Sequence, residues 1–452
     1  NLTQGHRFEA TRHPVMLKDA DSYARQLETE GAVIASFAAR RAEIVRQLAA
    51  AATKAGLTPI EDDALLDEVT ALVERPNVLL GQFENEYLEV PQECLILTMK
   101  ANQKYFPLLT ADGRLSNQFL IVSNIRPADP SVIIGGNERV VRPRLADAKF
   151  FYDQDRKKPL EARVLGLAKV VYHNKLGTQG ERVQRVCAIA RAIGSQLGGD
   201  VLAAQADQAA LLSKADLLTD MVGEFPELQG IMGRYYALHD GLSADIADAI
   251  EDHYKPRFAG DALPRNPVGL CVALADKLET LAGLFGIGQI PTGDKDPFAL
   301  RRHALGVIRM LMEQDIALPL DQLLANTFAA FPQGLLVDAQ SDLETFFFDR
   351  FAGLLREQGY SAQEVDAVLS LKPQRLGDIA QRLAAVRAFA ALPEAASLAA
   401  ANKRVGNILK KAEGGIQAHV DATLFAEAAE GALHQALASV APQADAAFAR
   451  GD

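Results

Sequence analysis

Val268-Gly269-Leu270-Cys271-Val272-Ala273-Leu274-Ala275-Asp276-Lys277-Leu278-Glu279-Thr280-Leu281-Ala282-Gly283-Leu284-Phe285 sets its apolar residues at helical spacing and reads as one long helix. Arg182 to Leu197, Ala204 to Val222, Ala244 to Tyr254 and Pro297 to Glu313 read the same way, as does the block from Leu343 to the end. Asp296-Pro297 is a favourable helix start, a capping carboxylate followed by proline at the first helical position. After Asp153 the strand signals vanish. Before it the pattern differs. Residues 20 to about 75 read as helix, with Asp21-Ser22 able to cap the first one. Asn77 to Phe83, Glu93 to Met99 and Phe119 to Ser123 are short β-type runs, with Ala111-Asp112-Gly113-Arg114 as a turn between two of them. The expected fold is therefore α+β and predominantly helical. A mixed domain occupies residues 1–155 and an all-helical domain 156–332, with a seam at Pro332-Gln333-Gly334. Residues 333–375 form a helical linker and 376–452 a further helical region.

The chain has 452 residues, room for several cores, and no run of about 20 apolar residues that could cross a bilayer. Cys94, Cys187 and Cys271 lie far apart among apolar neighbours and offer no zinc-ligand spacing, so they read as small buried hydrophobes in a reducing cytoplasm. The formal charge of −11 excludes a protein that coats nucleic acid indiscriminately, yet an acidic chain binds RNA where its cations gather on one face. The chain opens on Asn-Leu-Thr with no initiator Met and is expected to be part of a longer protein.

Positive charge concentrates in two places. From Arg139 to Arg163 there are eight Arg or Lys, including Arg139, Arg142 and Arg144, against four acids, with Phe150, Phe151 and Tyr152 interleaved. Arginine beside aromatics suits phosphate contact and base stacking; the alternative is a hinge salt-bridged to its neighbours. Asn402 to Lys411 holds Lys403, Arg404, Lys410 and Lys411 and no acid. At helical spacing these cations and Asn407 fall mostly on one face, opposite Val405, Ile408 and Leu409. Asparagine amides can also read base edges; the alternative is a merely solvated face.

A third constellation is His173, Asp216 and Asp276, whose order and helical setting resemble the metal-binding HD superfamily. Lys214-Ala215-Asp216 stands where that superfamily has its His-Asp dyad, and a lysine cannot ligate a metal. The literal dyad His239-Asp240 precedes Gly241 and reads as a helix end. Gly286 to Gly293 lacks the Lys-Ser/Thr ending of a P-loop and reads as a helix-to-helix connection. The expected metal content is none.

Met99-Lys100-Ala101-Asn102-Gln103-Lys104-Tyr105-Phe106-Pro107, Gly136 to Phe151, Asp294-Lys295-Asp296-Pro297-Phe298-Ala299-Leu300-Arg301-Arg302 and Ala401-Asn402-Lys403-Arg404-Val405 closely resemble, in this order, signatures of the glycyl-tRNA synthetase β subunit. The resemblance extends from Gln4 to about residue 411. It implies a B3/B4-like domain, an HD-like helical domain and a partial anticodon-binding domain of the DALR type. It implies an α subunit that activates glycine with ATP and Mg, while the β chain grips tRNA(Gly) and carries no catalytic residue or cofactor of its own. The expected tRNA contacts are Lys403, Arg404, Asn407, Lys410 and Lys411, Arg139, Arg142 and Arg144, and Lys100 and Lys104. Neither DNA nor a membrane is an expected partner. Synthetase ATP-site signatures are unrecognisable here. Relative to the family pattern, the N-terminal portion of β and the end of the anticodon-binding domain are expected to be missing. Two other readings stay open, a metal-dependent HD phosphohydrolase and a non-catalytic RNA-binding scaffold.

Overall fold

The structure, a computed structural model, describes residues 1–411 and 419–450, with side chains to residue 447. The chain divides into two compact units, Asn1–Leu383 and Ala384–Asp452.

The first unit opens with a two-stranded pair, Leu2–Thr3 with Val15–Met16, and then builds an antiparallel four-stranded sheet in the order Thr58–Pro59, Phe106–Leu109, Leu115–Ser123, Asn77–Gln82. Side chains alternate across a strand, so neighbouring residues serve opposite faces. Leu120 joins Phe106, Leu108, Ile44, Leu48, Leu65 and Val69 in a core beneath helices Phe37–Ala55 and Asp63–Leu72. Phe119 turns the other way and stacks on Tyr105 at 4.8 Å and Phe83 at 6.4 Å. Opposite Phe119 in the register stands Gly81, where a Cβ would come within 2.8 Å of the Phe119 ring.

Two expectations fail here. Glu93 to Met99 is not a strand but part of helix Gln92–Gln103. Its buried residues, Cys94, Leu95, Thr98 and Met99, follow helical spacing; the β-branched Ile96 and Thr98 disguised it. The strand that enters the Ala111–Arg114 turn is therefore Phe106–Leu109. Residues 20–75 are helical only in three pieces, the first being Tyr23–Thr29. Ser22 precedes it but makes no capping bond, because its hydroxyl turns to Gln26 Oε1 and the Asp19 carbonyl instead.

Beyond Asp155 the unit is helical around one element, Pro267–Gly286, whose residues from Val268 to Gly286 are all buried. A helix buried on all sides is the axis of a core. Gln179–Leu212, Ala244–Asp252, Leu300–Glu313, Leu320–Ala329 and Gln340–Glu357 pack around it. Three corrections apply. A small hairpin, Val171–His173 with Gly177–Thr178, interrupts the expected absence of strands. The helix expected to reach Val222 stops at Leu212, and Asp216 lies in a short 3-10 turn, Ala215–Leu218. The helix expected from Pro297 begins at Leu300, because Ala299 takes a left-handed conformation (φ +54°). Asp296 still caps it from further back, accepting from the N–H groups of Leu300 (2.8 Å) and Arg301 (3.0 Å). His239 does end a helix, followed by Gly241 at φ +81°.

The second unit contains helices Ala395–Leu409 and Ala428–Arg450. Ala395 is its only buried residue among the described side chains.

Candidate nucleic-acid interface

The acid-free basic cluster lies on Ala395–Leu409 and its C-terminal end, as the spacing required. Lys403, Arg404, Asn407, Lys410 and Lys411 are all exposed, and none of the four cations forms an ion pair among the described residues. Val405, Ile408 and Leu409 are half exposed or more, so this helix presents both faces.

Arg139, Arg142 and Arg144 lie exposed on helix Ser131–Asp155. Arg142 is held by Glu84, Nε to Oε1 at 2.7 Å. Lys149 is shared between Glu89 (3.1 Å) and Asp153 (3.2 Å), and Arg156 also binds Asp153. Arg163 turns inward to the buried Asp155. Arg139 and Arg144 form no ion pair among the described residues. Of the interleaved aromatics, Phe150 is exposed, while Tyr152 stacks on Tyr236 under the Arg156 guanidinium. Lys100 pairs with Asp62 and Lys104 with Glu68 (2.9 Å), so both tie the end of helix Gln92–Gln103 to helix Asp63–Leu72.

The metal candidates are not brought together. His173 sits on the small hairpin, edge-on to Phe298. Asp216 accepts from the backbone N–H groups of Gly230 (2.6 Å) and Gly233 (3.1 Å); burial pushes its carboxyl up to about 6 against the pull of those donors. Asp276 faces two cations, Arg182 at 3.0 Å and Lys214 at 3.3 Å. Burial raises the Asp276 pKa, but Arg182 and Lys214 outweigh it and hold the carboxyl below its ordinary range. Burial also brings Lys214 down to about 8, with Asp276 opposing. Among the described residues no group of three or more His, Cys, Asp or Glu converges as ligands. These residues do not fit a divalent cation, since the space a metal would take at Asp276 faces an ammonium and a guanidinium.

The sequence reading missed the larger assembly around this pair. Glu279, fully buried, receives Arg182 Nε (2.9 Å) and Arg185 Nε (2.9 Å). Arg182 lies over the Tyr172 ring and Arg185 over Phe331. The signal was present: two arginines three residues apart on one helix match two acids three residues apart on another, Asp276 and Glu279 in an otherwise apolar run.

What the geometry defines is a predominantly helical α+β protein with solvent-facing cations on two helices and with the interior acids Asp276 and Glu279 met by its own cations. A family model described as the glycyl-tRNA synthetase beta subunit matches residues 1–370. The chain is 75% identical over 450 residues to the glycine–tRNA ligase beta subunit of Thiobacillus denitrificans. It is 75% identical over 454 residues to the protein of that name from Janthinobacterium sp. and 73% over 460 to that from Dechloromonas aromatica. Each alignment covers the whole chain, which spans 64% of the length of these relatives. The chain belongs to the glycyl-tRNA synthetase beta-subunit family.

Proposed function

We propose that this chain acts as the tRNA-gripping part of a two-chain glycine–tRNA ligase in the cytoplasm, supporting ligation of glycine to tRNA(Gly) at a site on the α subunit. ATP and Mg would be used by that partner; this chain would supply cations and shape. The proposal rests on family membership, and one structural observation carries the tRNA part. Lys403, Arg404, Lys410 and Lys411 project from one exposed helix and its C-terminal end with no carboxylate held against them among the described residues. Neutralising phosphates with such side chains releases counterions, which supplies affinity without sequence reading. Asn407 among them adds a group able to read a base edge. Arg139 and Arg144 offer a second, smaller positive surface. Lys100, Lys104 and Arg142 would have to leave ion pairs to reach RNA, so they rank below the others. The B3/B4-like, HD-like and DALR-type assignments fit the sheet-bearing start, the helical body and the basic C-terminal helix in turn.

Reconstitution tests the reading. Added α subunit should convert tRNA binding by the complete β chain into glycylation. Binding that persists without glycylation would leave a non-catalytic scaffold instead.

A further inference from the structure

Beside the buried charge assembly lies a separate cavity of about 120 Å³, lined among others by Tyr254, Arg257, Lys277, Ala299, Arg302 and His303. No carboxylate among the described residues lines it. Lys277 comes from the central helix and is 3% exposed. Its Nζ donates to the Tyr254 carbonyl at 3.3 Å, and it forms no ion pair among the described residues. Burial lowers it to about 8, opposed at longer range by Asp276 and Asp261, so it remains largely charged near neutral pH. Arg257 and Arg302 are exposed and likewise form no ion pair among the described residues. His303 Nδ1 is buried with no hydrogen-bond partner among them.

A buried ammonium with no carboxylate in direct contact is costly, as is a buried ring nitrogen without a partner. The fold nonetheless makes room for this lysine. Gly306, on the helix that carries Arg302 and His303, leaves space that a Cβ would take, 2.9 Å from Lys277 Cε. The volume decides the size of the ligand. It is several times the roughly 30 Å³ share of one water and well under the roughly 300 Å³ at which pockets begin to take drug-sized molecules. One polyatomic anion fits; a nucleoside does not. Three cations against no lining carboxylate favour a dianion over a monoanion.

We propose that this cavity binds a single terminal phosphate group, a phosphomonoester dianion, with Lys277 at its floor, Arg257 and Arg302 at its mouth and a His303 ring N–H as a further donor. Guanidinium groups suit phosphate because their paired donors match its oxygens. The same chemistry comes from a free phosphorylated small molecule or from the 5′-phosphate end of an RNA. The proposal does not depend on what the basic C-terminal helix binds.

The test is calorimetric titration of the chain with inorganic phosphate, with chloride at equal ionic strength as control. A parallel arm uses one oligoribonucleotide bearing either a 5′-phosphate or a 5′-hydroxyl. Wild type should bind phosphate saturably at one site. Arg257→Gln with Arg302→Gln, both at exposed positions and so compatible with folding, should weaken it at least about tenfold per guanidinium removed. Gly306→Ala, which displaces the Lys277 chain, should weaken it without removing any charge. A preference for the 5′-phosphorylated RNA that disappears in the double variant assigns the site to RNA ends; phosphate binding without that preference assigns it to small molecules. Absence of saturable phosphate binding, or binding unchanged in both variants, would overturn the proposal.

Discussion

The Lys214 ammonium stands 3.3 Å from the Asp276 carboxylate in the interior of the helical body, and Arg182 meets the same oxygen at 3.0 Å. A carboxylate in that position on a helical scaffold is where a metal ion would be sought. Here its charge is already met by protein cations, and Coulomb attraction at these distances inside a protein exceeds that of an exposed pair several-fold. These groups hold one another inside the helical body.

From this arrangement the purified chain should contain no stoichiometric metal, and chelation should leave its melting temperature unchanged. Near-stoichiometric Mn, Fe or Zn by elemental analysis, lost in a His173→Ala variant, would sink this expectation.

The chain alone should form no glycyl-adenylate, since no ATP-site signature is recognisable in its sequence. Glycine-dependent pyrophosphate exchange, measured on protein free of α subunit, checks this; exchange above background contradicts it.

Lys403→Glu with Arg404→Glu, made in the complete β chain, should weaken tRNA binding and flatten its salt dependence, the log–log slope falling by about one for each phosphate no longer neutralised. Net charge of −11 does not prevent binding there, because repulsion is screened beyond roughly 8 Å at physiological salt. Stability should change by less than about 1 kcal/mol, the side chains being exposed. Unchanged affinity and slope would mark this face as merely solvated and move attention to Arg139 and Arg144.

Stability should fall with acid through His303. Burial, ahead of the repulsion by Lys277, brings its imidazole down to about 4, against about 6.5 in an unfolded chain. A depressed folded value means the unfolded chain binds the proton more readily. The contribution is therefore present above pH 6.5 and lost as the pH falls through 4. Asp216, raised to about 6, acts oppositely in the same window, so the comparison is made between variants. His303→Gln should flatten the urea-unfolding free energy between pH 6.5 and 4 by up to about 3 kcal/mol. An identical pH profile would show that this ring titrates normally.

Gly81→Ala should cost about 1–3 kcal/mol, because the new methyl meets the Phe119 ring packed between Tyr105 and Phe83. Urea denaturation measures it. A loss below about 0.5 kcal/mol would mean the ring moves aside freely.

Periodicity alone was enough for several of the helices, because apolar spacing is a local property. Val268 to Phe285 matches the buried helix to within a residue at each end, and the Lys403 to Lys411 cluster lies on and at the end of a helix as its spacing required. The same local reading took Glu93 to Met99 for a strand, since a short apolar run with Ile96 and Thr98 satisfies both patterns until its packing partners are known. It also started a helix at Pro297, where the left-handed Ala299 delays it. What only the tertiary structure decided is which charges are free. In the sequence nothing beside Arg139, Arg142, Lys100 or Lys403 says which carboxylate, if any, each will meet. Folding brings Glu84 to Arg142 and Asp62 to Lys100 across 58 and 38 positions of chain, and leaves Lys403 without a partner among the described residues. Lys277 was unreadable for the same reason: its neighbours in the chain are Asp276 and Leu278, but the cavity it faces is made by residues near 255 and 302. Charge strength is set by distance and burial, and neither is a property of position along the chain.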